Sequence, residues 1–300
     1  MCTALLSIEP GRPTLLVGVR DEMTSRAWQP PARHWPERAG ELIGGRDLQA
    51  GGTWLAVSPQ DRRAACVLNG RGKTAPEVTR RSRGVLPLDA AAGMPLDPQV
   101  LAEFDPFILV TAEPKRAIAQ SWDGDALTER EFAPGLHFAV NSGWASDLLP
   151  DLLQPTGSLN PGRNEAANPS RPEPTSPSQP SSASQPGPTH PSQPASPSQA
   201  NGRAHELARL AYFLPRFAAA ARPDPKPGQP VAEAWGEWFP LLNGDGLATD
   251  DDRALIVRRD FGDGRIWGST SISLIAVSVD GLRYDFTSAP GDPAAWVTVL

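Results

Sequence analysis

Three hundred residues allow one large domain or two ordinary ones, and the 39% apolar content lies below the about 45 to 50% usual in a globular chain, so part of the length is not core. Thirty-four prolines exclude a compact all-helical fold, and a net charge of −6 with Lys and Arg interspersed among Asp and Glu excludes a phosphate-tracking surface, so nucleic acid is not an expected partner. No apolar run approaches the about 18 to 20 residues of a membrane span, and MCTALLSIEP has neither a basic start nor a long apolar stretch, so no membrane span and a cytoplasmic location are expected.

Residues 3–8 and 14–19 are short apolar runs separated by Glu9-Pro10-Gly11-Arg12-Pro13, which predicts two antiparallel strands. Arg20-Asp21-Glu22 follows the second. Residues 54–58 and 63–68 repeat the arrangement around Pro59-Gln60-Asp61, and 107–111, 116–122, 126–132 and 136–140 continue it as an antiparallel meander. Between residues 169 and 198 ten prolines and nine serines leave only Ala183 and Ala195 apolar, with PSQP at 177–180 and again at 191–194. Such a stretch buries too little to offset its chain entropy, which predicts a disordered Pro/Ser/Gln-rich insertion over 161–200 within a single domain of residues 1–160 and 201–300. An inert spacer is the favoured role, although a polyproline-II segment can also serve as a protein partner's ligand.

Past the insertion, Leu207, Leu210, Ala211 and Leu214 have helical spacing within 204–221, with Pro215 expected to kink the helix, and 231–239 predicts a shorter one. Strands return at 254–259 and 271–279, the latter turning through Asp280-Gly281 into 282–287. Strands on both sides of a helical middle give an α+β layered fold.

Four scattered histidines and two cysteines, without HExxH, CxxC or GxxxxGK[ST] patterns, support neither a zinc site nor a P-loop, and no cofactor or metal is expected. Cys66, among Ala64, Ala65, Val67 and Leu68, reads as a buried thiol. Cys2 is different. If Met1 is removed, Cys2 carries a thiol and a free α-amine on one residue, with pKa values of about 8.5 and about 8, so the nucleophile brings its own base without any histidine.

The sequences around it add a resemblance. Arg20-Asp21-Glu22, the stretch from Gly45-Arg46-Asp47-Leu48 through Gly51-Gly52-Thr53-Trp54, Leu68-Asn69, Ser82-Arg83-Gly84, Val140-Asn141 and Trp267-Gly268-Ser269 resemble the NRDE family, also called the Transport and Golgi organisation protein 2 family. Its members are similar to N-terminal nucleophile (Ntn) cysteine hydrolases. The resemblance implies a four-layer αββα sandwich and hydrolysis of an amide C–N bond in a small acylated substrate. It implies Cys2 as nucleophile, Arg20 and Asp21 as its electrostatic partners, and Asn69 or Asn141 as oxyanion donors. The alternative it carries is a non-catalytic binding or trafficking protein for an apolar ligand such as haem or an acyl lipid. The chain departs from the family in two places: Val19 stands at the asparagine of the NRDE motif, and Thr270 at an arginine of the C-terminal motif.

Beside these roles stand structural ones. Arg20 and Asp21 can form a plain ion pair, Asn69 and Asn141 can cap turns, and Gly51-Gly52 with Trp54 can serve to build the fold.

Overall fold

The computed structural model describes residues 2–38, 40–150 and 197–300. Among them the backbone forms two antiparallel sheets. The first has the order β11 (Gly143–Trp144), β10 (Gly135–Val140), β1 (Thr3–Ile8), β2 (Thr14–Met23), β13 (Ile266–Val277), β14 (Leu282–Thr287) and β15 (Trp296–Thr298), with β12 (Arg258–Asp260) beside β13. The second runs in sequence order: β3 (Trp28–Ala32), β4 (Ile43–Asp47), β5 (Leu55–Ser58), β6 (Arg63–Asn69), β7 (Phe107–Glu113), β8 (Arg116–Trp122) and β9 (Leu127–Glu131).

Period-2 alternation divides each strand between two cores. In β1, Leu5 points to one side and Ala4 and Leu6 to the other; in β2, Leu15, Val17 and Val19 oppose Leu16. Leu5, Val17 and Val19 meet Leu210, Phe213 and Phe217 of α3 (Pro197–Ala219), Trp235 of α4 (Val231–Trp235) and Trp238 of α5 (Trp238–Leu242). Ala4, Leu6 and Leu16 meet Leu55, Cys66, Leu68 and Val110 of the second sheet. That sheet's far face, with Ala65, Phe107 and Leu109, is covered by Leu86, Leu88 and Ala91 of α1 (Leu86–Ala91) and by Leu101 and Phe104. Three cores separate four layers, the αββα order expected, although the outer layer on the second sheet is thin.

Several elements differ from their expected course. The meander ends at β9, and residues 136–140 cross to the first sheet and pair with β1. Burial explains it: β9 is LTERE, exposed throughout, and its charges suit an unpaired edge, whereas Phe138, Ala139 and Val140 are all buried and need cover on both faces. Strand β2 runs on to Met23, so Arg20, Asp21 and Glu22 lie within it. The strand expected at 254–259 is confined to Arg258–Asp260, because Ala254, Leu255, Ile256 and Val257 are successive buried residues without alternation. The helix expected at 231–239 is divided at Gly236, whose φ of 47° leaves helical space.

The expected insertion lies outside the described residues except for 197–200, which belong to the first turns of α3; that helix continues through Pro215. No helix among the described residues is long and apolar enough to cross a membrane. A short helix, α2 (Ala145–Leu148), follows β11.

Candidate active site

Register brings the N-terminal residues together. Thr3 pairs with Val19 on one side and Val140 on the other, so Cys2, one residue earlier, falls beside Arg20 and Asn141. The Cys2 backbone nitrogen donates to Asn141 Oδ1 at 3.2 Å, and Cys2 Sγ lies 3.9 Å from the Asp21 carbonyl oxygen. Alternation then divides the group between two layers. Cys2 and Arg20 share the parity of Ala4, Leu6 and Leu16 and face the second sheet; Thr3 and Asp21 share the parity of Leu5, Val17 and Val19 and face the helices.

On the inner side, the nearly fully buried Arg20 guanidinium stacks over the Trp54 ring, 4.5 Å from its centroid. Its nitrogens donate to Thr270 Oγ1 at 2.8 Å and to Asp47 Oδ2 at 3.4 Å. Thr270 reaches it through an irregularity of the ladder: Asp21 pairs with Ser269 and Arg20 with Ser271, leaving Thr270 as an extra residue. A bulge of this kind re-aims side chains, so Ser269 donates to Asp21 Oδ1 at 2.6 Å on one face while Thr270 serves Arg20 on the other. The residue that replaces the family's arginine therefore stands in the site as Arg20's hydrogen-bond partner. Val19, the other departure, is buried among helix-facing apolar side chains.

Asp47 organises the GRD-to-GGTW stretch. Its Oδ1 accepts from the backbone N–H of Gln49 and Ala50, and its Oδ2 from Arg26 Nε at 2.6 Å. Burial by itself would raise its pKa, but the Arg26 bond and the two backbone donors outweigh it and hold the carboxyl below its ordinary value. Gly51 closes the turn with φ of 74°, and Gly52 packs against Gly84, where a Cβ would stand 2.5 Å from the backbone. Gly45 leaves room for Trp54, since a Cβ there would lie 2.3 Å from the ring. Trp54 is thus half-buried and edge-on to Trp28, with its ring serving as the floor for Arg20.

Arg83 is a second arginine that is partly buried. Burial pulls Arg20 and Arg83 below the ordinary arginine value, and in both a negative charge on Cys2 acts in the opposite direction, favouring the charged form. Arg83 also donates to the Pro106 carbonyl at 2.8 Å. The Cys66 thiol, in the same inner core, is pushed up to about 12, first by burial and then by charge on Cys2.

On the helix side, Asp21 is buried and its second oxygen accepts from Arg209 Nη1 of α3 at 3.1 Å. Of the residues expected in the site, Cys2, Arg20, Asp21 and Asn141 are brought together. Asn69 is exposed at the end of β6, paired in the ladder with Phe107, and no side-chain hydrogen bond joins it to the other four. Sequence reasoning missed Asp47, Arg83 and Arg209. The first two lie inside the family-like motifs, a signal that could have found them; Arg209 carries no motif.

Cavity size does not single out this place. Two cavities of about 470 and 550 Å³ lie at the opposite end of the sheets, around Gly11 and Lys115. The cavity touching Cys2, Arg20, Trp54 and Cys66 is about 20 Å³, room for one water. Asn141 also lines a pocket of about 250 Å³ with Phe107, Trp122, Trp144, Arg71 and Arg130. Chemistry decides in favour of Cys2, where, among the described residues, a thiol, the Arg20 guanidinium and an amide side chain converge.

Cys2 thus stands at the head of β1, between Arg20 of β2 and Asn141 after β10, within an αββα sandwich. Residues 1–146 match the Transport and Golgi organisation 2 family, so the resemblance seen in the motifs holds over that part of the chain. No curated protein matches. Among solved structures, the chain is similar to the mutant C2A conjugated bile acid hydrolase from Clostridium perfringens, at 11% identity and a TM-score of 0.49, over 96% of this chain and 89% of that one.

Proposed function

We propose that this chain is an N-terminal cysteine amidohydrolase that cleaves the C–N bond of a small acylated substrate. One observation carries the reading: both reactive atoms of Cys2 are held, the nitrogen by Asn141 Oδ1 and the sulfur beside the Asp21 carbonyl. Removal of Met1 would convert that nitrogen into a free amine without moving it. One of its hydrogens then remains on Asn141 while its lone pair is available to the thiol proton.

In the reaction the amine takes the proton from Sγ, and the thiolate, beside the Arg20 guanidinium, adds to the amide carbonyl. With its Oδ1 engaged by Cys2, Asn141 has its Nδ2 hydrogens free for the developing oxyanion, an interaction worth about 3 to 4 kcal/mol for one donor. The protonated amine of Cys2 returns its proton to the leaving nitrogen, the C–N bond breaks and a thioester remains. Water then adds to the thioester, and its breakdown releases the carboxylic acid and the Cys2 thiol. The 20 Å³ cavity beside Cys2 has room for that water, and the 250 Å³ pocket beside Asn141 suits a small acyl amide.

The test is intact-mass measurement on the untagged chain, before and after incubation with acyl amides and β-lactams. The expected result is a chain lacking Met1 that gains an acyl adduct on Cys2, and no adduct on Cys2→Ala. Retention of Met1, or equal hydrolysis by a form with a tag fused ahead of Met1, would overturn the mechanism. An apolar ligand bound undiminished by Cys2→Ala, with no hydrolysis, would favour the carrier alternative.

A further inference from the structure

Arg209 lies outside the residues that match the family and far in sequence from every motif, yet its guanidinium is among the most completely buried polar groups of the chain. Three contacts hold it. Nε donates to the Ala254 carbonyl at 2.9 Å, and Nη1 donates to Thr3 Oγ1 at 2.6 Å and to Asp21 Oδ2 at 3.1 Å. Thr3 is bonded directly to Cys2, and Asp21 supplies the carbonyl beside Cys2 Sγ. The two strands that carry the nucleophile and its acidic neighbour are therefore clamped by one side chain reaching through from the helix layer.

We infer that Arg209 is the positioning residue of Cys2: it neutralises Asp21 and fixes Thr3, so that Cys2 is held beside Arg20 without an uncompensated carboxylate behind it. The inference rests on the proposed function above, for which it names a residue. Its electrostatics follow from burial. Asp21 and Arg209 are both screened from water, so loss of the cation leaves a carboxylate acting on Sγ through protein and disfavours the thiolate. The charged and titratable groups that face Cys2 are Arg20, Asp21 and Cys66, and Arg83 is coupled to it by charge. Arg209 touches no reacting atom; it acts through Asp21 and Thr3.

The experiment measures the rate of Cys2 alkylation by iodoacetamide against pH in the full chain, with near-UV circular dichroism verifying the fold of each variant. Arg209→Gln is expected to lower the rate at pH 7.5 at least about tenfold, to move the profile to higher pH, and to be largely rescued in Arg209→Lys. Glu206→Gln, on the same helix but bonded to Ser142 and Arg71, is expected to keep the wild-type profile even where the melting temperature falls. An Arg209→Gln profile like that of wild type, or equal slowing in Glu206→Gln, would overturn the inference. Should Arg209→Gln not fold, Thr3→Val decides: slower alkylation supports the clamp, and an unchanged rate defeats it. A wild-type Cys2 no faster than a free cysteine would instead defeat the proposed function itself, so the two failures are separate.

Discussion

Thr270 Oγ1 accepts from Arg20 Nη1 at 2.8 Å, and its own hydroxyl lies 3.3 Å from the Arg20 carbonyl oxygen. One small side chain, placed by a ladder irregularity, therefore binds both the backbone and the guanidinium of the residue that faces Cys2.

Thr270→Val keeps the shape and removes both bonds. The cost in stability is expected to be about 1 to 2 kcal/mol, read from urea unfolding, because a buried donor on Arg20 loses its partner. Cys2 alkylation is expected to slow as Arg20 gains freedom. An unchanged rate would assign Thr270 to the fold alone.

Asp47 predicts the direction of acid sensitivity. Its folded pKa lies below the ordinary value, so its contribution to stability is present above the unfolded pKa of about 4 and is lost as pH falls through the lower folded value. Asp47→Asn is expected to be less stable at pH 7 and to show a shallower loss of stability below about pH 4 than wild type. Parallel curves of urea midpoint against pH for the two chains would disprove this.

Two thiols in neighbouring positions should behave differently. Cys66 is buried and pushed up to about 12, so at pH 8 it remains a thiol, whereas Cys2 is half-buried beside the Arg20 guanidinium. Iodoacetamide at pH 8 is expected to label Cys2 alone in the folded chain and both cysteines after denaturation, as read by peptide mass mapping.

Gly52→Ala places a methyl group 2.5 Å from the Gly84 backbone. Neither segment can yield by a rotamer change, so a loss of about 1 to 3 kcal/mol is expected. The loss is read as a fall in melting temperature.

Trp54→Ala removes a half-buried ring and the floor beneath Arg20. The expected cost is about 3 kcal/mol, the low end for a large aromatic, because part of the ring is solvent-accessible. Trp54→Phe should recover most of the stability and much of the stacking.

Sequence by itself determined the local pieces. Short strand-forming runs between turn signals marked β1, β8 and β14 with their bounds, and turn residues such as Glu9-Pro10-Gly11-Arg12-Pro13 and Asp280-Gly281 marked where strands reverse. These are legible because side-chain parity and turn conformation depend on adjacent residues. As candidates, Cys2 was legible through its chemistry, and Arg20, Asp21 and Asn141 through the family-like motifs; the structure brings the four together. Only the tertiary structure decided which sheet receives residues 136–140, that Thr270 rather than Ser271 meets Arg20, that Asn69 stays outside the group, and that Arg209 closes on Asp21 from α3. Each of these depends on pairing between strands or layers far apart in the chain. Such partners are chosen by what must be buried on both faces at once, and no local window of sequence contains that choice.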